Sequence, residues 1–446
     1  MPDDATDDLE VLLGAELARN EEAAEATIAT ISSTQQFRPP SKKRGRDVES
    51  IKESDTGNKS AGVQRISRPA SARDCPPHPG FVQGMCIRCG KPRDDLEPAA
   101  SANVALRYLH AGLELSKTEA DRLRDESLKR VLAGNRLILV LDLDHTLLTS
   151  TKNSEIHDEQ LHRKLSKMLA EQQRLPELDR SLYWFPHMDI WTKFRPGVRD
   201  FLERMHLCYE LHIYTHGTRP YALEMSRVLD PQRRLFAERI VSACDSADKN
   251  HKNLDILLGV ETAVLVVDNT HTVWPQHLAN LLHCTSFVYF PADVPRMGGT
   301  ALLATCDTSH EQPDPMLPAA AAVLEDVHSM YFAGASAAGM DARQCLAAAR
   351  SKILAGVSLV FSRVFPQVMA SPEANSLWKL ANQMGAACSL ATSAATTHVV
   401  APCYGTDKVM WAQKHGKHVI TPAWLTASSR SWQRAAEEDY VPEKPK

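Results

Sequence analysis

The chain lacks any apolar run of the roughly 18 residues that a membrane-crossing helix needs. Its start, MPDDATDDLE, lacks the basic and then apolar pattern of a secretory signal. A soluble, intracellular protein with no membrane partner is therefore expected. A strong charge of either sign is also missing, the formal net charge being −4 over 446 residues. Direct contact with nucleic acid is not expected, and any charged partner must be met locally. Ten cysteines are present, but they do not form the spaced set of a disulfide framework. Three cluster at Cys75, Cys86 and Cys89, which fits a reducing compartment with one candidate metal site, and the rest read as core thiols. The length asks for two or three folded units with linkers.

Residues 1–70 are polar, first acidic and then rich in Ser, Lys, Arg and Pro, and are expected to be disordered. Within them Leu9, Leu12, Leu13 and Leu17 recur at helical spacing behind Asp7 and Asp8, the pattern of a marginal acidic helix or a partner-binding one. The run PPSKKRGR, with Lys42, Lys43, Arg44 and Arg46, has the composition of a nuclear import signal. Nucleus is the expected address. An irregular stretch near 301–318 separates a central region from an Ala-rich helical section.

Chemistry concentrates between residues 137 and 280. LILVLDLDHTLL is an apolar strand ending in Asp142, Asp144 and Thr146. WTKFRPGVRDFLERM enters a helix with Val198, Phe201, Leu202 and Met205 on one face. YELHIYTHGTR ends an apolar run at Thr215, NHKNLDILLG offers Lys252, and ETAVLVVDNT ends in Asp268 and Asn269. Short apolar runs that each end in a polar residue, separated by helical segments, predict an open parallel α/β sheet with its site at the carboxyl ends of the strands.

Those residue types suit phosphate ester hydrolysis. A phosphate dianion repels a carboxylate nucleophile unless a divalent cation and a lysine neutralise its oxygens. Asp142 is the candidate nucleophile and Asp144 the general acid and base. Thr215 is read as the phosphoryl hydrogen-bond donor and Lys252 as the charge balance. Mg²⁺ suits an all-oxygen site built from Asp142, Asp144, Asp268 and Asn269. Arg195 and Arg219, with Thr146, are candidates for substrate binding; structural salt bridges are the alternative for the two arginines.

The order DLDHT, IYTHGTR, HKNLD, VVDN resembles the haloacid-dehalogenase superfamily. WTKFRPG and THGTRPYALEMSRVLDP resemble its branch of phosphatases acting on the C-terminal repeat domain of RNA polymerase II, in particular the large BRCT-bearing enzymes, plant ones included. Those enzymes usually carry two aspartates where this chain has Asp268 and Asn269. The resemblance implies that Asn269 ligates the metal while Asp268 orients Lys252. It implies a haloacid-dehalogenase-like parallel sheet with helices on both faces. It also implies a Mg²⁺-dependent protein serine/threonine phosphatase acting on the phosphorylated repeat through an aspartyl-phosphate, with general transcription factors among its partners.

From about Arg350 the chain reads as strand, helix ending near Gly385, strand at His398–Ala401, helix, strand at Val419 and Ile420, and a final helix holding Trp424. This resembles a BRCT module, which implies phosphoprotein contacts through Ser362, Thr406 and Lys408. The expected organisation is a disordered region over 1–70, a zinc-binding segment over 71–95, a phosphatase domain over 100–300, a linker and helical bridge over 301–347, and a BRCT domain over 348–442. In the zinc segment Cys75, His78, Cys86 and Cys89 have the spacing of two half-sites, with Gly84 and Gly90 for tight turns; a closed set of four would hold a structural Zn²⁺. Two competing functions remain at this point: a phosphatase of another substrate, and a scaffold that binds phosphopeptides through BRCT with an inactive α/β unit.

Overall fold

The structure, a computed structural model, describes residues 78–93, 103–106, 112–246, 248–257, 259–298, 300–305, 314–333, 340–365 and 371–443. The acidic helix, the basic run and Cys75 lie outside the described residues.

A small antiparallel sheet comes first. Its strands are β1 (Gly80–Val82), β2 (Met85–Cys86), β3 (Asn103–Ala105) and β4 (Leu113–Ser116), in the order β2-β1-β4-β3. Ser116 then caps the helix Lys117–Ala133 by accepting the N–H of Glu119.

The central sheet holds β5 (Leu137–Leu141), and the chain leaves it for a three-stranded antiparallel insert. That insert comprises β6 (Leu148–Lys152), β7 (Leu182–Phe185) and β8 (Ile190–Phe194), with the helix Glu159–Gln172 between β6 and β7. The stretch Ser150–Met188, too polar to place by periodicity, is thus half hairpin and half surface helix. After the helix Val198–Cys208 the chain returns to the central sheet as β9 (Tyr209–Tyr214). The helix Arg219–Leu229, β10 (Ile240–Val241), β11 (Val264–Asp268) and β12 (Leu281–His283) complete it, in the order β10-β9-β5-β11-β12, all parallel.

Every residue of β5 is buried because helices cover both faces, and its side chains divide by parity. Leu137, Leu139 and Leu141 join Phe201, Leu202, Met205, Ala222 and Met225 on one face. Ile138 and Val140 join Val131, Val264, Val266 and Trp274 on the other. The helix face anticipated at Val198, Phe201, Leu202 and Met205 is the face that is buried.

The helices Met316–Phe332 and Ala342–Arg350 are more than a bridge. Leu317, Leu324, Val327, Tyr331 and Leu346 sit in the same core cluster as the odd residues of β5. The BRCT unit follows with β13 (Ser358–Phe361), the helix Ser376–Gln383, β14 (Ala387–Ser389), β15 (His398–Val400), the helix Asp407–Lys414, β16 (His418–Ile420) and the helix Pro422–Ser431. Its parallel sheet runs β14-β13-β15-β16. Sequence reading missed β14, whose three residues offer no buried alternation. Gly385 has φ +89° and faces the Ser351 carbonyl so closely that any Cβ would collide with it.

Candidate active site

Three parallel strands end at one edge and deliver the chemistry there. Asp142 follows β5 and its N–H bonds the Val267 carbonyl at 3.0 Å. Thr215 follows β9, its N–H on the Val241 carbonyl at 3.0 Å. Asp268 ends β11. After Asp142 the chain turns sharply. His145 takes φ +60°, which a side chain adopts only when its surroundings insist. Its N–H bonds Leu148 O at 2.7 Å, and the Phe287 N–H bonds its carbonyl at 2.8 Å, so both sides hold the turn.

Lys252 is the hub. Its ammonium donates to Asp142 Oδ1 at 2.6 Å and to Asp268 Oδ2 at 2.8 Å, and all three side chains are buried. Burial works against the ammonium, but the two carboxylates outweigh it and hold Lys252 above its ordinary value. Burial, then the facing Asp268 carboxylate, push the Asp142 carboxyl up to about 7 against the pull of Lys252. Three carboxylates, Asp142, Asp144 and Asp268, therefore face a single ammonium. That surplus of negative charge, with oxygen donors only, fits a hard divalent cation such as Mg²⁺.

Asp268 is spoken for. Oδ2 accepts Lys252 and the Trp274 indole N–H at 2.9 Å, and Oδ1 accepts the Thr270 N–H at 2.7 Å. With 1% exposure it is turned toward Lys252, which favours Asn269 over it as the metal ligand. Asn269 is oriented differently. The Thr146 hydroxyl accepts the Asn269 backbone N–H at 3.1 Å, so its own proton goes to Asn269 Oδ1, also at 3.1 Å. The amide nitrogen donates to Ser286 Oγ at 3.0 Å. With its oxygen on the Thr146 side the amide keeps a second lone pair there.

Asp144 accepts two hydroxyls, Thr215 Oγ1 on Oδ2 at 3.2 Å and Tyr221 on Oδ1 at 2.5 Å. Tyr221 in turn meets Ser150 Oγ at 2.8 Å, and Ser150 meets Thr192 Oγ1 at 2.8 Å. Sequence reading missed Tyr221. The one signal is Gly217: a Cβ there would come within 2.5 Å of the Tyr221 ring, so the glycine makes room for the ring to reach Asp144.

Two of the candidate substrate contacts move elsewhere. Thr146 is fully buried and braces Asn269. Arg195, 2% exposed, donates to Asp314 at 2.7 Å, to the Thr285 carbonyl and hydroxyl at 2.8 and 3.0 Å, and to Thr146 O at 3.2 Å. Its guanidinium is consumed in structure, the alternative the sequence left open. Arg219 bonds the Ile240 carbonyl and Asp245, with its side chain 29% exposed.

In the BRCT unit the three candidate phosphate ligands converge. Ser362 Oγ meets Thr406 Oγ1 at 2.7 Å, and Lys408 donates to the carbonyls of Phe361 at 2.9 Å and Leu390 at 2.8 Å. Thr406 caps the helix Asp407–Lys414. In the N-terminal sheet His78, Cys86 and Cys89 come together, with all ligand atoms within 4.8 Å of one another.

A doubly covered parallel sheet with Asp142, Asp144, Thr215 and Lys252 at its carboxyl edge defines a phosphatase fold of the haloacid-dehalogenase type, carried beside a BRCT module. Residues 137–307 match the family profile of the NLI interacting factor-like phosphatases, and 363–424 match that of the twin BRCT domain. The chain belongs to the family of RNA polymerase II C-terminal domain phosphatases. It is 33% identical over 389 residues to the C-terminal domain phosphatase-like 4 of Arabidopsis thaliana, covering 86% of this chain and 87% of that protein. To phosphatase-like 3 of the same plant it is 39% identical over 328 residues, 71% of this chain but only 26% of that much longer relative. The solved structure of Fcp1, described as an essential RNA polymerase II CTD phosphatase, superposes with a TM-score of 0.54 at 27% identity, covering 72% of this chain and all of that one. A fission yeast Fcp1 variant bound to beryllium fluoride gives 0.53, again at 27% identity, with the same coverage of both chains.

Proposed function

We propose that the chain is a Mg²⁺-dependent protein serine/threonine phosphatase that dephosphorylates the C-terminal repeat of RNA polymerase II through an aspartyl-phosphate. The observation that carries the reading is the buried Asp142–Lys252–Asp268 arrangement beside Asp144 at one sheet edge, in a chain whose relatives are named for that activity.

Asp142 attacks phosphorus while the bond to the serine or threonine oxygen breaks. The departing oxygen takes its proton from Asp144, and the phosphoryl group stays on the Asp142 carboxylate. Water then attacks phosphorus, Asp144 takes its proton, and inorganic phosphate leaves with Asp142 regenerated. Tyr221 holds Asp144 Oδ1 at 2.5 Å and Thr215 holds Oδ2 at the longer 3.2 Å, so the travelling proton is assigned to Oδ2. Thr215 and Lys252 stabilise the phosphoryl oxygens. A bound Mg²⁺, held by Asp142, Asp144 and Asn269, would supply charge neutralisation of the phosphate.

The test is phosphate release from a phosphorylated repeat peptide, with and without Mg²⁺, comparing native protein with Asp142→Asn and Asp144→Asn. Activity is expected to need Mg²⁺ and to be lost in both variants. Unchanged turnover in the variants removes the mechanism, and better turnover of a sugar phosphate moves the substrate to another class. The same reading gives the BRCT unit a phosphopeptide through Ser362, Thr406 and Lys408. Loss of peptide binding in Lys408→Ala, by fluorescence polarisation, is the expected result. Nuclear residence rests on Lys42, Lys43, Arg44 and Arg46, and alanine at all four is expected to redistribute a fluorescent fusion.

A further inference from the structure

The sheet formed by β1 to β4 is poorly equipped to hold itself together. β1 has three residues and β2 has two, and a hairpin that short is marginal in water. Met85 and Ile87 point outward at 54% and 49% exposure, so the hairpin spends its apolar side chains on solvent. What lies beneath it is Cys86, 3% exposed, against His78 and Cys89.

The geometry of those three side chains is that of metal ligands. Zinc bonds of about 2.3 Å to sulfur and 2.0–2.1 Å to nitrogen, at tetrahedral angles, place a sulfur and a nitrogen about 3.6 Å apart. His78 Nδ1 lies 3.4 Å from Cys86 Sγ and 3.7 Å from Cys89 Sγ. The backbone is built for it as well. The N–H groups of Arg88 and Cys89 both hydrogen-bond the Cys86 sulfur, the arrangement that steadies a thiolate held between a hairpin and a turn. Gly90 N donates to Cys86 O at 2.9 Å, and Cys86 N donates to Lys91 O at 2.9 Å, which closes the turn. The turn demands left-handed backbone at Gly84, φ +79°, and Gly90, φ +69°.

Other uses of the cluster fit less well. A catalytic thiolate must be reachable by substrate, and the Cys86 side chain is buried. Neither Cys86 nor Cys89 is in a disulfide, and a bridge between them would leave the His78 contacts without purpose. The cluster also belongs to a different sheet from the one that carries Asp142, so it is not an outpost of the phosphatase chemistry.

We infer that His78, Cys86 and Cys89 hold a structural zinc ion that fixes the β1–β2 hairpin. Cys75, which sequence spacing offers as a fourth ligand, lies outside the described residues. Two thiolates and an imidazole gathered on one short hairpin, apart from the catalytic sheet, make the role structural. The hairpin passes the restraint on through β1, which pairs with β4 at Gly80–Leu115, Phe81–Glu114 and Val82–Leu113. Because β4 runs directly into the helix Lys117–Ala133, the metal fixes the start of the helix that covers one face of the central sheet.

The experiment uses the full chain, purified in the presence of zinc, passed through EDTA and desalted, with metal measured by plasma mass spectrometry. One zinc per chain is expected. It should be lost from the Cys86→Ser, Cys89→Ser double variant and kept by a Cys208→Ser, Cys244→Ser control. Replacement by cobalt(II) should give the visible bands of a tetrahedral site with thiolate-to-cobalt charge transfer. Metal removal should raise hydrogen exchange in β1 and β2 while leaving β5 protected. Trace zinc in the native chain, stoichiometric zinc in the double variant, or an octahedral cobalt spectrum overturns the inference. The cobalt spectrum of the native chain decides the matter even where the double variant does not fold.

Discussion

Lys252→Met removes one charge from the centre of a buried triad and keeps most of the side-chain volume. In the native protein the ammonium lies 2.6 Å from Asp142 and 2.8 Å from Asp268, with every partner less than a tenth exposed. Breaking a buried ion pair in this way costs about 3–5 kcal/mol, because the surviving carboxylates stay desolvated and now repel one another. For a domain of this size that corresponds to a fall in Tm of roughly 6–20 °C. The sign with pH follows from the direction of the Asp142 shift. A carboxyl whose folded pKa lies above its unfolded value of about 3.9 is penalised once it must ionise. The penalty is absent below the unfolded pKa and is fully expressed above the folded one. Already near 7 with Lys252 present, Asp142 moves higher still without it. Below about 7 Asp142 is protonated in both folded proteins and the penalty is shared, so the gap in Tm between native protein and variant should be nearly constant from pH 4 to pH 6 and widen from pH 7 upward, measured by calorimetry in EDTA. With Mg²⁺ restored, turnover of a phosphorylated repeat peptide should fall about 10²–10³-fold, the usual loss when one fixed charge is withdrawn from a transition state. A Tm gap that does not vary with pH refutes the electrostatic account, and unchanged turnover refutes the assignment of Lys252 to the phosphoryl group.

Tyr221→Phe deletes the hydroxyl that holds Asp144 Oδ1. A hydrogen bond to a charged group is worth about 1.5–3 kcal/mol, so kcat should fall roughly 10- to 100-fold with KM and Tm nearly unchanged; equal loss in Tm would make the residue merely structural. His398 is held neutral, its pKa lowered to about 4 by burial, which outweighs its bond to Glu437. The unfolded chain takes up the proton first, near 6.5, so the BRCT unit should keep full stability above that pH and lose up to about 3 kcal/mol as pH falls to 4. Hydrogen exchange of the β15 amides reads the loss, and His398→Gln should abolish it. A chain ending at residue 307, where the phosphatase-family match stops, should aggregate or unfold at much lower urea than one carried through to Val441. It lacks Met316, Leu317, Leu324, Val327, Tyr331, Leu346 and Trp432 of the main core, worth about 1.5–3 kcal/mol each, against a total domain stability of about 5–15 kcal/mol.

Asp142, Thr215 and Asp268 were legible because each terminates an apolar run, and a run that ends in a polar group is a one-dimensional signal. The helix carrying Phe201 and Met205 was legible for the same kind of reason, its period of 3.6 residues. What escaped notice depends on contacts across the chain. Tyr221 lies 77 residues from Asp144, and nothing in its own neighbourhood marks it except a glycine that makes room. Arg195 reads in sequence as a cation beside a glycine turn. Only the fold shows that Asp314, 119 residues away, together with Thr285 and Thr146, has consumed its donors. Asp268 and Asn269 are adjacent and chemically similar, so a sequence distributes the metal between them. Trp274 and Lys252 separate them by both binding one oxygen of Asp268.

The same logic binds the C-terminal unit to the catalytic edge. Trp432 ends its helix in a left-handed conformation, φ +56°, which swings the indole out of the BRCT unit. Its N–H donates to the His283 carbonyl at 2.9 Å, and the Arg350 guanidinium covers the ring at 4.7 Å. His283 then reaches the Asn269 carbonyl through Nε2 at 2.9 Å. A carbonyl only accepts, so Nε2 carries the proton. Burial lowers the His283 pKa, although that same carbonyl pulls the other way, and the neutral ring suits a position beside a metal-binding edge. The residue proposed to present its amide oxygen to Mg²⁺ is thus fixed from two sides, by Thr146 within the Asp142 turn and by His283 beneath the BRCT unit. A module that only tethered the enzyme to a phosphoprotein would need no such contact. Having it makes the BRCT unit part of the scaffold on which the Asn269 end of the candidate site is built.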